Sequence, residues 1–162
     1  MNPLEERVDR LAAALLARGS MIATAESCTG GLIAAACTGK AGSSAWFERG
    51  FVTYSNAAKH EMLGVPVALI EGKGAVSEEV AAAMAEGALV RSTAAWSIAV
   101  TGIAGPGGAT PGKPVGTVWM AVCRRGGAAT TRLLQAAGDR TEVRAQSVMA
   151  ALDLLLARLD AG

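Results

Sequence analysis

A serine stands on a segment that carries the small residues of a tight turn. Ser27 precedes Thr29, Gly30 and Gly31, directly after a short apolar run and before an Ala-rich one. This order predicts a strand, a turn and a helix. At such a turn, free backbone N–H groups and the helix dipole favour a developing oxyanion or a bound phosphate. In the alternative interpretation, Ser27 or Thr29 only caps the helix, and the segment alone leaves both open.

A serine nucleophile needs a base, and two neighbouring residues are candidates. His60 is the only histidine, so a Ser-His-Asp triad would have to run through it. Lys59 is the better candidate, because a lysine desolvated at the floor of a pocket can have a pKa low enough to accept a serine proton. The alternative is a solvated lysine on an exposed helix face. Tyr54 could orient Lys59 or a substrate, or its ring could close the edge of the core.

A second glycine-rich segment, residues 101–108, has the composition of a phosphate-binding loop. Its glycines would let backbone N–H groups approach an anion, although it matches neither the Walker pattern nor G-x-G-x-x-G. A flexible connector is the alternative. Lys113 and Arg140 are candidate phosphate partners that could equally be ordinary surface residues. The G-x-S-x-G motif of α/β-hydrolases and the H-E-x-x-H helix of zinc proteases are both absent.

The elements that must position these residues alternate between helices and strands. Apolar residues at helical spacing predict a first helix over about 4–16. Strands are predicted at 21–25, 51–54, 96–100, 115–123 and 129–134, and further helices at 32–37, 56–63, 78–94 and from Asp139 or Thr141 to Leu159. The turn at 124–127 joins the last two strands as an antiparallel hairpin. The alternation predicts an α/β fold, a three-layer α/β/α sandwich with a mixed, mostly parallel sheet.

One edge of that sheet should gather the candidate residues. Ligands of open α/β sheets bind beyond the carboxyl ends of the strands. The segments 26–31, 54–59 and 101–108 each follow or end a predicted strand. If these strands run parallel, right-handed crossovers bring the three segments to the same edge. We therefore expect one pocket to use all of them.

Composition limits the classes of protein to consider. With 162 residues, 51% of them hydrophobic, the chain can bury one core, which predicts a single domain over residues 1–162. A net charge of +1, basic residues spread along the chain and 4% aromatic residues argue against nucleic acid as a partner. The three cysteines lack C-x-x-C spacing, so neither a disulfide framework nor a metal site is expected.

The same survey gives expectations about location and assembly. The sequence contains no run of about 18 uncharged apolar residues, so no membrane partner is expected. Residues 1–16 mix charged with apolar side chains, unlike a signal peptide, which predicts a cytoplasmic protein. An exposed Ala-rich helix face would suit a homo-oligomer.

Six motifs resemble one protein family, in order and at its usual spacing. They are TAESCTGG at 24–31, AGSSAWFERGFVTYSN at 41–56, GAVS at 74–77, TGIAGP at 101–106, KPVGTVW at 113–119 and GDR at 138–140. Over nearly the whole chain they are similar to the C-terminal domain of the competence/damage-inducible protein CinA. That family includes nicotinamide-nucleotide amidohydrolases, which convert nicotinamide mononucleotide to nicotinic acid mononucleotide and ammonia. The resemblance implies a small-molecule nucleotide as substrate, and neither a metal nor another cofactor.

The resemblance also implies roles for particular residues. Ser27 would be the nucleophile and Lys59 the catalytic lysine, with Tyr54 nearby. In the implied mechanism, neutral Lys59 accepts the Ser27 proton, Ser27 attacks the carboxamide, and backbone N–H groups near 30–31 or near 101–102 hold the oxyanion. The candidate substrate-binding residues are Thr29, Gly30, Gly31, Asn56, Thr101, Gly102, Gly105, Lys113 and Arg140.

The sequence departs from the family pattern at one point. An acidic residue is expected after Gly105 and Pro106, and this chain has Gly107 and Gly108 there. A substrate contact made by such a side chain would be absent or replaced. Because a fold can persist without its activity, a non-catalytic nucleotide-binding or regulatory module is the alternative hypothesis.

Overall fold

The computed structural model describes residues 1–162, which form a five-stranded sheet with helices on both sides. In chain order the elements are α1 (Pro3–Arg18), β1 (Ile22–Glu26), α2 (Leu32–Thr38), β2 (Phe47–Val52), α3 (Asn56–Leu63), α4 (Val67–Lys73), α5 (Glu78–Val90), β3 (Trp96–Gly102), β4 (Thr117–Arg124), β5 (Thr130–Gln135) and α6 (Arg140–Ala161). A short 3-10 turn, Ser43–Ala45, precedes β2. None of the helices is both long enough and apolar enough to cross a bilayer.

The strands lie side by side in the order β2-β1-β3-β4-β5. β1 pairs in parallel with β2 and with β3, where Ile22 faces Trp96 and Glu26 faces Val100. β4 pairs antiparallel with both β3 and β5. Four of the five strands therefore point the same way, and only β4 runs against them. The predicted mixed, mostly parallel sheet is confirmed, including the antiparallel hairpin of β4 and β5.

The two faces of the sheet carry side chains of different size. Neighbouring residues of a strand point to opposite faces. α1, α2 and α6 cover a face built from large apolar residues such as Ile22 and Met120. α3, α4 and α5 cover the other face, where the strands present alanines such as Ala25 and Ala99. Small side chains there let the Ala-rich α5 lie close to the sheet. Helices on both faces confirm the predicted three-layer α/β/α sandwich.

Local hydrogen bonds fix where the longest helices begin. Asn2 caps α1 by accepting the Glu5 N–H at 2.8 Å, and the Glu5 carboxylate accepts the Asn2 N–H at 3.3 Å. The same reciprocal pair, Asp139 with Glu142, begins α6. Each pair satisfies N–H groups that the helix itself cannot bond. Of the two caps that the sequence allowed for α6, the structure uses Asp139.

The predicted strand at 51–54 is wrong in its position, because β2 spans Phe47–Val52. β2 lies at the edge of the sheet, and its middle residues Glu48, Arg49 and Gly50 are not apolar. The hydrophobic pattern therefore predicted only the last two residues of β2, Phe51 and Val52. As a consequence, Tyr54 lies beyond the strand, in the connection to α3.

The helix α4 was not predicted, and α5 ends earlier than predicted. Gly64 closes α3, and Pro66 is the N-cap of a new helix that begins directly after it. α5 ends at Val90 rather than near 94, since the chain must turn before β3 begins.

Candidate active site

The turn after β1 presents Ser27 at the carboxyl edge of the sheet. Its N–H extends the pairing with β3 by donating to Val100 O at 3.0 Å, and its carbonyl accepts the Gly30 N–H at 3.0 Å. Gly30 and Gly31 have φ values of 56° and 103°, which residues with side chains rarely adopt. Both glycines are therefore needed for the sharp turn into α2.

Neither Ser27 nor Thr29 caps α2, so the helix-capping interpretation of these residues is wrong. The N-cap position is Gly31, which has no side chain to offer. The first N–H groups of the helix donate instead to the Glu26 carboxylate, at 2.8 and 3.0 Å. Thr29 Oγ1 donates to the same carboxylate at 2.6 Å. The Ser27 hydroxyl has no part in this cap.

The side chain of Lys59, which lies on α3, contacts Ser27. Its Nζ lies 3.1 Å from Ser27 Oγ, and the residue is only 2% exposed. The same Nζ lies 3.3 Å from Thr53 O and 3.4 Å from Tyr54 O. No carboxylate forms an ion pair with it. The structure thus excludes the solvated lysine that the sequence left open.

Burial shifts the pKa values of Lys59 and Cys28, the two titratable groups beside Ser27. It lowers the pKa of Lys59 from its ordinary value of 10.5, because desolvation disfavours the ammonium; an ionised Cys28 would act in the opposite direction. Burial also raises the pKa of Cys28 to about 11. Cys28 is therefore a thiol at neutral pH and not the thiolate that attacks.

His60 lies outside this arrangement although it follows Lys59 in sequence. Its side chain is exposed, and its Nδ1 lies 2.9 Å from Val65 O. Successive residues of a helix point about 100° apart, so the side chains of Lys59 and His60 point in different directions and have different surroundings. Nor does His60 belong to a metal-ligating cluster, since the structure contains no group of three or more His, Cys, Asp or Glu side chains that could hold an ion.

A cavity of about 220 Å³ opens where Ser27 and Lys59 meet. It brings together seven predicted site residues, namely Ser27, Tyr54, Asn56, Lys59, Thr101, Gly102 and Arg140. Its remaining lining residues, Cys28, Ala75, Val76 and Ala104, were not predicted as site residues. The three segments expected at one edge of the sheet do meet there.

One wall of the cavity comes from residues 74–77, which the sequence did not assign to the pocket. Thr101 Oγ1 donates to Ala75 O at 2.8 Å and holds this wall against the end of β3. Ser77 then begins α5 by accepting the Val80 N–H at 3.2 Å. The predicted helix at 78–94 was the signal that could have placed this segment in the pocket, because a helix that starts at the carboxyl edge of the sheet starts beside the ligand site.

Arg140 and Tyr54 form the mouth of the cavity. Arg140 donates to Tyr54 Oη at 3.1 Å and to Gly105 O at 2.8 Å. Tyr54 is 62% exposed, so its ring does not close the core as one interpretation suggested. Arg140 thus links the start of α6 to the segments 54–59 and 101–108, and its positive charge lies beside the opening of the cavity.

The first part of the glycine-rich segment 101–108 is packed, because residues 101–105 are buried or half-buried while residues 106–108 are exposed. A Cβ on Gly102 would lie 2.7 Å from Val118 Cγ2 and 3.1 Å from Cys28 Sγ. A Cβ on Gly105, where φ is 85°, would lie 2.5 Å from Val115 Cγ1. Gly102 thus has a clear reason to be a glycine: it lets β3 approach the residue next to Ser27.

Five predicted substrate-binding residues do not line the cavity, namely Thr29, Gly30, Gly31, Gly105 and Lys113. Lys113 Nζ donates to Lys73 O at 2.9 Å, at the end of α4. A cation is favourable at that end of a helix. The unpredicted helix α4 therefore explains why Lys113 is engaged elsewhere.

The backbone N–H groups near Ser27 differ in what they are free to bind. The Gly30 N–H donates to Ser27 O, so it is not free for the oxyanion as the sequence analysis expected. The N–H groups of Cys28 and Thr29 donate to no other residue, and the Cys28 N–H contacts only its own Sγ. Both residues are buried, at 5% and 0% exposure. Unpaired N–H groups at buried positions are rare in proteins, and here they lie next to Ser27.

Residues 4–159 match the family model described as the CinA C-terminal domain. The chain belongs to this family. The resemblance of its six motifs is thereby confirmed. A protein of this family from Agrobacterium tumefaciens, described as competence/damage inducible protein CihA, superposes with a TM-score of 0.94 at 48% identity, covering 99% of this chain and 97% of that one.

Relatives of the CinA C-terminal domain family differ in length. The nicotinamide-nucleotide amidohydrolase PncC of Escherichia coli is 50% identical over 154 residues, 95% of this chain and 93% of that protein. The protein of the same name from Enterobacter agglomerans is 52% identical over 94% of this chain and 93% of its own length. A CinA-like protein of Mycolicibacterium vanbaalenii is 56% identical, but this chain spans only 36% of it.

Proposed function

We propose that the protein is an amidohydrolase that deamidates nicotinamide mononucleotide to nicotinic acid mononucleotide and ammonia. The observation that carries the proposal is the 3.1 Å distance between Ser27 Oγ and the buried Lys59 Nζ, which forms no ion pair with a carboxylate. Support comes from the two relatives of similar length, whose names state a nicotinamide-nucleotide amidohydrolase. The reaction forms an ester with Ser27 and then hydrolyses it.

Lys59 acts first as a base and then as an acid. Its neutral amine takes the proton of Ser27 while Ser27 Oγ forms a bond to the carboxamide carbon. The C–N bond then breaks, and the leaving nitrogen takes the proton from the Lys59 ammonium and departs as ammonia. A base of lowered pKa suits both directions of transfer near neutral pH, and burial supplies that shift.

The N–H groups of Cys28 and Thr29 hold the oxygen that becomes negative. They are buried, donate to no other residue, and lie on the turn that carries Ser27. Donors fixed in advance stabilise a developing oxyanion without reorganising during the reaction. In the second half of the reaction, water gives a proton to Lys59 and attacks the ester carbon. That proton passes to Ser27 Oγ as the acid is released.

Arg140 binds the phosphate of the nucleotide. It lies at the mouth of the cavity, and its guanidinium can bind phosphate oxygens in a bidentate manner. Lys113, the other candidate, does not line the cavity. Asn56 and Thr101 also line the cavity and contact the substrate there. Tyr54, which Arg140 holds by its hydroxyl, orients the bound nucleotide.

We also propose that the protein works in the cytoplasm, as a homo-oligomer, with a small-molecule nucleotide as its partner. The amidohydrolase scheme uses neither a metal nor another cofactor. Light scattering of the purified protein measures the oligomeric state.

Ammonia release from nicotinamide mononucleotide tests the proposal directly. We expect turnover by the unaltered protein, none by the Ser27→Ala variant, and most of it by the Cys28→Ala control. Inactivation by a thiol reagent that the Cys28→Ala variant escapes would move the nucleophile to Cys28. Binding of the nucleotide without ammonia release would make the protein a binding module instead.

A further inference from the structure

A buried carboxylate lies beneath the Ser27 turn and has no role in the proposed reaction. Glu26, at the end of β1, is fully buried. Its Oε1 accepts Thr29 Oγ1 at 2.6 Å and the Ile33 N–H at 2.8 Å, and its Oε2 accepts the Ala34 N–H at 3.0 Å. No basic side chain pairs with it. These hydrogen bonds tie the strand before Ser27 to the helix after it.

A half-buried arginine holds the same turn from α6. Arg144 Nε donates to Cys28 O at 3.1 Å, and its Nη2 lies 3.4 Å from Thr29 O. Gly30 makes room for this side chain, because a Cβ there would lie 3.2 Å from Arg144 Nη2. Arg144 follows Arg140 by one helical turn, so α6 contacts both the mouth of the cavity and the back of the turn.

The bond from Arg144 to Cys28 O determines where the Thr29 N–H points. In a trans peptide the C=O and the N–H point in opposite directions. Cys28 O and the Thr29 N–H belong to one peptide group, so the bond from Arg144 directs that N–H away from α6. A charged donor on the carbonyl also polarises the peptide and strengthens its N–H as a donor.

We propose that Glu26 and Arg144 are positioning residues that clamp the turn at Ser27 from its two sides. Glu26 takes the N–H groups at the start of α2, and Arg144 takes the carbonyls of Cys28 and Thr29. The clamp keeps the N–H groups of Cys28 and Thr29 unpaired and aimed at the reacting oxygen. This inference rests on the proposed function for its effect on catalysis, while the effect on the turn can be measured without activity.

Kinetics of Arg144 variants test the catalytic part. For Arg144→Met we expect kcat to fall roughly 10- to 100-fold while KM changes little, because the turn shifts without losing substrate contacts. Arg144→Lys should recover part of kcat, since an ammonium can still reach a carbonyl. The matched control is Arg132→Met, because Arg132 is exposed on β5 and makes no side-chain hydrogen bond. A folded Arg144→Met variant with the kcat of the control would overturn the proposal.

Amide hydrogen exchange tests the clamp itself, whether or not the protein releases ammonia. The Gly30 and Leu32 amides donate to Ser27 O and Thr29 O within the turn. In Arg144→Met these two amides should exchange faster, while those of α5 keep their rates. In Glu26→Gln, where an amide NH2 replaces an acceptor, the Ile33 and Ala34 amides should exchange faster.

The two measurements separate failure of the clamp from failure of the proposed function. Unchanged exchange at Gly30 and Leu32 in Arg144→Met would overturn the clamp even if kcat fell. If the unaltered protein releases no ammonia, the proposed function fails, and exchange still decides whether the turn is clamped. Should Arg144→Met not fold, Arg144→Lys takes its place, and a folded Arg144→Lys whose kcat and whose Gly30 and Leu32 exchange rates equal those of Arg132→Met would overturn the proposal.

Discussion

At the edge of the sheet where β1 and β3 begin, arginine side chains bind the carbonyls that the helices leave unpaired. Arg125 donates to three carbonyls at the end of α5 and just beyond it, at 2.7, 2.9 and 2.9 Å. Arg91 donates to Leu63 O, at the end of α3, at 3.1 Å. Arg18 binds Leu159 O near the end of α6. A cation at the C-terminus of a helix is favourable, so this edge is built for stability.

The opposite edge, where β1 and β3 end, buries polar groups that lack their usual partners. The Cys28 and Thr29 N–H groups donate to no other residue, and Lys59 is buried without a carboxylate. Unpaired groups of this kind lower stability, and proteins retain them where they serve function. The difference between the two edges predicts that changes at the site edge affect turnover, and that changes at the other edge affect the free energy of unfolding.

The largest effect is expected at Lys59. Lys59→Met should lower kcat roughly 10²- to 10⁴-fold, the usual contribution of a general base, and raise the midpoint of thermal unfolding, because an apolar side chain of similar length replaces a buried amine. Lys59→Arg should also lose turnover, since a guanidinium does not release its proton. His60→Ala is the control and should stay active. A nearly active Lys59→Arg with an inactive His60→Ala would make the lysine structural and the histidine the base.

The pH dependence of the same lysine should appear in both rate and stability. Because burial lowers the pKa of Lys59, turnover should fall about tenfold per pH unit below that folded-state pKa, where the ammonium cannot accept a proton. Between the lowered pKa and 10.5, the unfolded chain binds more protons than the folded one, so the free energy of unfolding rises with pH across this window. Below this window Lys59 is protonated in both the folded and the unfolded chain, so it adds no slope to the free energy of unfolding. Denaturant unfolding at several pH values should show a more positive slope in the parent than in Lys59→Met, because the buried cysteines, whose pKa values are raised, add the same opposite slope to both proteins.

A smaller effect on turnover is expected from a methyl group at Gly102. The added Cβ would lie 2.7 Å from Val118 Cγ2 and 3.1 Å from Cys28 Sγ, so Gly102→Ala should push the residue beside Ser27 and reduce kcat/KM roughly tenfold. Gly107→Ala, in the same loop, is the matched control, because nothing lies within 4 Å of its Cβ. Equal kcat/KM for the two folded variants would remove Gly102 from the site.

The smallest effect on turnover is expected at the edge of the sheet where β1 and β3 begin, which carries the arginines. Arg125→Met removes the donor to three carbonyls and should lower the free energy of unfolding by about 2 kcal/mol, since bonds to charged groups contribute about that much. Its kcat below the unfolding midpoint should equal that of the Arg132→Met control. Loss of turnover without loss of stability in Arg125→Met would break the contrast between the edges.

Much of the fold was predictable because its signals are local. The capping pairs Asn2 with Glu5 and Asp139 with Glu142 lie within a few residues, and the alternation of helices and strands is visible along the chain. The carboxyl-edge rule then placed Ser27, Lys59 and Thr101 near one another without any contact being known. β2 was predicted only at its end, because an edge strand is only half apolar, and α4 was missed because a short helix can begin directly after a turn.

The sequence by itself determined the strand, the double-glycine turn and the helix around Ser27, because the φ values that this turn requires depend on the glycines themselves. Only the tertiary structure decided that Lys59 is buried while His60 is exposed, since that depends on how α3 docks on its neighbours. It also decided the role of Arg144, which reaches Cys28 O across 116 residues of sequence. No spacing along the chain encodes such a contact, because packing of α6 against the turn after β1 creates it.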